Sequence, residues 1–213
     1  MASQQQRESD VIIVGAGIAG LSAALALAPM RTCVLTKSVF GEGGSTPLAQ
    51  GGIAAAMGAD DTPALHAADT LTAAAGLAVR EVVDVLTQEG PDQIRRLIDL
   101  GTLFDRSADG QLALGREAAH CRRRILHARG DATGAELVRV LTQATRVCDH
   151  VRVHERAFAH ELLVEDGRVV GVLAVDAEGN GTEHRAPFVI IATGGIGQLF
   201  LHTTNPPEAT GDG

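Results

Sequence analysis

The chain has 213 residues, 45% of them apolar, enough for one large or two small domains with a true core. Five Phe with no Tyr or Trp, and 18 Lys and Arg against 26 Asp and Glu, exclude stacking on single-stranded nucleic acid and binding to a phosphate backbone. A charged fraction of 21% excludes a disordered chain, and Cys33, Cys121 and Cys148, odd in number and without a CxxC pair, define neither a disulfide framework nor a zinc site.

The first ten residues are polar and lack a basic segment followed by an apolar one, so no signal peptide is read there. No apolar run is long enough to span a membrane, and the cytoplasm is the expected compartment. Residues 10–14 predict a fully buried strand, 21–27 an Ala/Leu-rich helix broken by Pro29, and 32–36 a second buried strand. That βαβ unit is expected to be parallel and right-handed. Residues 40–52 form a glycine-rich stretch too long for a minimal connection. Three helices are expected at 62–75, 79–89 and 91–100, with Pro91 opening the third. After a basic segment at 116–129, Thr133 and Glu136 match a capping box that opens a helix to about residue 147. Strands follow at 151–155, 159–164 and 168–176, the last two joined by an Asp166-Gly167 turn. More are read at 182–185 and 188–192.

Gly15, Gly17 and Gly20 spell GxGxxG between the first strand and its helix. In that setting the first glycine permits a tight turn, the second admits a pyrophosphate to the backbone, and the third allows close helix–strand packing. The end of the second strand carries Thr36 and Lys37 where an acidic residue would ordinarily hold a ribose. Lys37 suits a 2′-phosphate, the oxygens of another dinucleotide, or plain solvent. The loop over 44–52 supplies hydroxyls, backbone N–H groups and the Gln50 amide, suited to the edge of a polar ring system. Arg116, His120, Arg122, Arg123, Arg124 and His127 surround Glu117, with 122–124 also readable as a solvated face. His66, His150, His154, His160, His184 and His202 show no ligand spacing, and no metal is expected.

Five blocks stand in order: GAGIAGLSAA at 15–24, STPLAQGGIAA at 45–55, LGREAAHCRRRILHARGDATG at 114–134, VIIATGGIGQLFLHTTNP at 189–206 and GDG at 211–213. Together they resemble the L-aspartate oxidases, a branch of the succinate dehydrogenase and fumarate reductase flavoprotein family, over nearly the whole chain. The resemblance implies an α/β fold: a Rossmann-like FAD-binding domain over 1–213 with a parallel central sheet and an antiparallel β-meander. This would be the incomplete N-terminal part of a longer chain, with the capping domain not present.

The resemblance further implies FAD as cofactor. Gly15, Ala16, Gly17, Ile18, Ala19 and Gly20 would lie at its pyrophosphate and Lys37 near its adenosine half. Ser45, Thr46, Pro47, Leu48, Ala49, Gln50, Gly51 and Gly52 would run along the flavin, and Asp212 would bond the cofactor again. Respiratory relatives bond FAD covalently through a histidine where this chain has Ser45, so binding would be non-covalent. Glu117 would receive the ammonium group of L-aspartate. The reaction implied is oxidation to iminoaspartate, with dioxygen or fumarate as acceptor and quinolinate synthase as a partner. Because the family's other substrate residues lie in later sequence, this segment alone is expected to turn over no aspartate and to bind FAD weakly or not at all. The other readings are a soluble fumarate reductase or succinate dehydrogenase subunit, an NADP-binding reductase, and a non-catalytic dinucleotide-binding module if the chain is complete.

Overall fold

A computed structural model describes residues 7–213; the first six residues of the polar leader lie outside the described residues. In chain order the first half holds β1 (Arg7–Glu8), β2 (Val11–Val14), α1 (Ile18–Ala26), β3 (Thr32–Leu35), β4 (Ile53–Ala54), α2 (Pro63–Ala73), α3 (Arg80–Asp99), β5 (Leu114–Gly115) and β6 (Ile125–Leu126). The second half holds α4 (Thr133–Arg146), β7 (Val151–His154), β8 (Phe158–Glu165), β9 (Arg168–Val175), β10 (Gly181–Arg185) and β11 (Phe188–Ile191). Contacts divide the chain into two compact units, one comprising the chain up to Leu48 with Leu137–Gly213 and the other Ala49–Glu136.

The first unit carries a parallel sheet in the order β11-β2-β3-β7 and a second sheet in the order β1-β10-β9-β8. The second is the expected meander, with β1 added parallel to β10 at its edge. All four residues of β2 are buried because both of its faces are covered. Val11, Ile13 and Val34 pack with Ala24 of α1, while Ile12, Val14, Cys33 and Leu35 pack against Val172 and Ala174 of the meander. Each such aliphatic side chain contributes about 1.5–3 kcal/mol when fully buried. Asp166 and Gly167 take positive φ and form the tight β8–β9 turn.

The second unit holds α2, α3 and a small antiparallel sheet in the order β4-β6-β5. Its core gathers Ala55, Ile94, Phe104, Leu126 and Ala128. Thr62 caps α2 by accepting from Leu65 N–H at 3.2 Å, with Pro63 in the first turn.

Two expectations are corrected. The helices read at 79–89 and 91–100 are one helix, α3, with the buried Pro91 inside it. Gly90 has no Cβ to clash with the proline ring, which removes much of the usual bar to helical backbone before proline. Helix α1 begins at Ile18 rather than at residue 21, with Gly17 as its cap. At α4, Thr133 accepts from Ala128 N–H at 3.2 Å, and the fully buried Glu136 accepts from Leu103 N–H at 2.8 Å. No helix among the described residues is long and apolar enough to cross a membrane.

Candidate functional site

The parallel sheet reverses its direction of build at β2: α1 leads to β3 on one side, and β11 lies on the other. The carboxyl ends of such strands frame a crevice. Here the turns after β2, β3 and β11 border a cleft of about 400 Å³ within the first unit. Gly15 and Ala192 lie so close that a Cβ on Gly15 would sit 2.2 Å from the Ala192 carbonyl oxygen. A Cβ on Gly20 would sit 1.9 Å from the Gly15 oxygen, so the third glycine of the motif is demanded by helix–strand packing.

Gly17 differs from both. Its nearest neighbour would be Thr46 Oγ1 at 3.4 Å, so its open side faces the cleft. Among the described residues the adjacent Ile18 N–H, at the positive end of α1, meets only the Thr46 hydroxyl at 3.4 Å. No acidic residue occupies the first turn of α1. This is a cradle that a side chain would fill, with donors suited to a phosphate.

Lys37 borders the cleft but is already engaged. Its ammonium donates to Thr210 Oγ1 at 2.8 Å and forms an ion pair with Asp212. Lys37 and then Thr210 hold the Asp212 carboxyl below the ordinary aspartate range, so it is ionised at neutral pH. The lysine charge is therefore neutralised locally, which weakens the reading of Lys37 as a 2′-phosphate receptor.

Of the residues singled out from sequence, Gly15, Ala16, Gly17, Lys37, Ser45, Thr46 and Asp212 line the cleft. Ile18, Ala19, Gly20, Pro47 and Leu48 belong to the same unit but do not line it, and Thr46, Pro47 and Leu48 form a 3-10 turn. Ala49, Gln50, Gly51 and Gly52 fall in the second unit. There a Cβ on Gly52 would meet Ile125 Cγ2 at 2.3 Å, so its packing on β6 already requires glycine. Sequence reasoning missed the side of the cleft made by residues 157–162 of the meander, and Glu42 and Glu208. Alternation marks 159–164 as a strand but does not say which wall it faces. The Thr193-Gly194-Gly195 turn after β11 also lines the cleft.

In the second unit, Glu117 is exposed and its carboxylate meets His127 Nε2 at 3.1 Å. Its segment is anchored by Arg124, which is fully buried rather than part of a solvated face. Arg124 makes two hydrogen bonds of 2.8 Å to Asp61 and one of 2.7 Å to Asp69. Burial works against its charge, but Asp61 and Asp69 outweigh this and raise its pKa. Asp69 also accepts from Cys121 N–H at 2.8 Å, and that bond, with others from Cys121 and Arg124, lowers its pKa to about 2. Burial, then Arg124 and His120, pushes the His66 pKa down.

A parallel sheet with a glycine cradle at its switch point defines a dinucleotide-binding α/β protein. The family model described as FAD binding domain matches residues 10–213, and the chain belongs to that family. FAD is thus its cofactor, and the open cradle at Gly17 fits the pyrophosphate of such a group. The chain is 52% identical over 213 residues to an L-aspartate oxidase of Streptomyces coelicolor, covering 96% of this chain and 36% of that protein. It is 48% identical over 204 residues to the L-aspartate oxidase of Mesorhizobium japonicum, covering 95% and 39%. Among solved structures, a Mycobacterium smegmatis Sdh1 complex superposes with a TM-score of 0.91 at 34% identity, covering 98% of this chain and 38% of that one. A quinol fumarate reductase of E. coli gives 0.91 at 30% identity, covering 98% and 36%. The chain therefore spans well under half the length of these relatives.

Proposed function

We propose that residues 1–213 form the FAD-binding front of an L-aspartate oxidase, both units belonging to one domain of a longer enzyme. The observation that carries the reading is the Gly17 cradle at the switch point, in a chain 42–52% identical to proteins of that name. Bound there, FAD supplies the two-electron acceptor for oxidation of L-aspartate at its Cα–N unit to iminoaspartate, with dioxygen or fumarate taking the electrons onward.

The chain's own residues bind and orient. Gly15, Ala16, Gly17, Ile18 and Ala19 present backbone to the pyrophosphate, and Gly20 keeps α1 close enough for its N-terminus to face it. Lys37 lies at the adenosine half, and Asp212, paired with it, bonds the cofactor again. Ser45, Thr46, Pro47, Leu48, Ala49, Gln50, Gly51 and Gly52 form the flavin-side segment. Ser45 offers a hydroxyl rather than an imidazole, so the cofactor is held without a covalent bond. Glu117, steadied by His127, receives the substrate ammonium; succinate offers no cation and leaves that carboxylate unpaired.

The product is consumed in de novo NAD synthesis, with quinolinate synthase as the partner, in the cytoplasm and without nucleic acid or membrane. The likeness to the Sdh1 and fumarate reductase structures supports a second reading as a subunit of that kind, which Ser45 disfavours.

A chimera tests this, with residues 1–213 replacing the matching stretch of the Streptomyces coelicolor relative. The expected protein releases FAD on acid denaturation and makes peroxide with L-aspartate but not with succinate. Glu117→Gln raises KM for aspartate about 10–100-fold, the worth of a charge-assisted bond. Succinate oxidation exceeding aspartate oxidation would favour the second reading.

A further inference from the structure

Cys33, His154 and His184 are far apart in sequence, the first and last by 151 positions, yet the fold of the first unit gathers them. On the parallel sheet, Leu35 is in register with His154, so Cys33 and His154 share a face as diagonal neighbours on β3 and β7. His184 comes from β10 of the meander, opposite Val172, which packs into the same core as Cys33. One ligand atom from each of the three lies within 4.8 Å of the others. The His154 and His184 rings are 4.9 Å apart between centroids and tilted by 56°.

The distances suit one metal. Tetrahedral zinc, with bonds of about 2.3 Å to sulfur and 2.0–2.1 Å to nitrogen, holds the two donors about 3.6 Å apart. Cys33 Sγ and His184 Nδ1 are 3.7 Å apart. Cys33 and His184 are buried on their strands, and His154 is half-buried. A thiol and two imidazoles form a donor set of the borderline-soft kind that zinc prefers over harder cations.

We propose that Cys33, His154 and His184 form a Zn²⁺ site tying the parallel sheet to the meander, independent of the reading of the cofactor cleft. On binding, the Cys33 thiol gives its proton to solvent and the thiolate and two neutral imidazoles donate to the metal; a water takes the fourth position. No electrons are transferred. Because Leu35 and Val172 line the cleft and share the Cys33 core, an occupied site also stiffens the wall of the cleft.

The test uses the purified 213-residue chain without an affinity tag, stripped with a chelator and titrated with Zn²⁺ against a chromophoric competitor. One equivalent is expected to bind and to raise Tm, and Co²⁺ in its place is expected to give a thiolate-to-metal charge-transfer band. Cys33→Ser and His154→Gln each abolish that band. Each weakens Zn²⁺ by more than the roughly 10–100-fold that loss of an outer-shell partner costs. Cys121→Ser and Cys148→Ser change neither reading. His154→Gln removes a half-buried ring, and an unchanged far-ultraviolet spectrum of that variant separates loss of ligand from loss of fold. No bound zinc, or an equivalent that survives Cys33→Ser or moves with Cys121 or Cys148, overturns the proposal.

Discussion

The two units hold their most consequential segments by opposite means. Around the cleft, backbone meets backbone with no side chain between: Gly15 against Ala192, and Gly20 against the Gly15 carbonyl. Around Glu117, charged side chains fasten the chain: Arg124 binds Asp61 and Asp69, and Asp69 binds the Cys121 N–H. A close backbone approach of this kind has nothing to titrate, but Gly15 and Gly20 do not tolerate one added carbon atom. A buried charge clamp tolerates neither loss of a partner nor a change in its ionisation. The turns that must meet an anion are built the first way, from backbone N–H groups that attract it. A segment presenting one carboxylate to a cation can be built the second way.

Arg124→Met should break the contrast most strongly. It leaves the fully buried Asp61 carboxylate without its partner and is expected to cost about 3–5 kcal/mol in urea denaturation. Replacing Asp61 with Leu as well should recover part of the loss, since the penalty comes chiefly from the stranded charge.

Next come two glycines of a single motif. Gly20→Ala places a carbon 1.9 Å from a carbonyl oxygen and is expected to cost about 1–3 kcal/mol or more. Gly17→Ala meets only ordinary contact, so its stability should stay within about 0.5 kcal/mol of the parent. In the chimera the same change should lower FAD retention at least tenfold, the cost of about 1.4 kcal/mol of binding. Equal loss of stability at both positions would erase the distinction between a packing glycine and a ligand glycine.

The smallest effect is one of pH. The folded pKa of His66 lies below its ordinary value, and its Nδ1 has no hydrogen-bond partner among the described residues. Below pH about 6.5 the unfolded chain therefore takes up the proton first, and stability falls with pH until the lowered folded value is passed. Melts at pH 7 and pH 5 should show this fall, and His66→Gln should flatten it. Asp69 acts lower on the scale: its contribution is complete above its ordinary pKa of 3.8 and is lost as pH falls through about 2.

The βαβ unit was readable because its information is local. A buried strand, GxGxxG and an Ala-rich helix lie within the first 36 residues, and each agrees with the others. The meander was readable for the same reason, through alternation and an Asp-Gly turn. Strands β4, β5 and β6 were not, since two residues carry no periodicity. The continuity of α3 through Pro91 was hidden because proline ordinarily punctuates a helix. The sequence left Arg124 either beside Glu117 or on a solvated face; its burial depends on Asp61 and Asp69, more than fifty positions away. The residues that line the cleft from the meander were invisible on the same ground, being set by how two sheets pack rather than by any neighbour in sequence.

The β8–β9 turn offers a practical handle. Its tip at Asp166 and Gly167 lies four residues beyond Leu162, the last residue of β8 to border the cleft, or about 13 Å along an extended strand. Exposed loop tips of this kind accept insertions and labels. A dye attached through Asp166→Cys, with the three native cysteines accounted for, would sit outside the cleft yet on the strand that walls it. Flavin entry could then be followed by energy transfer in real time, without altering any residue that faces the ligand.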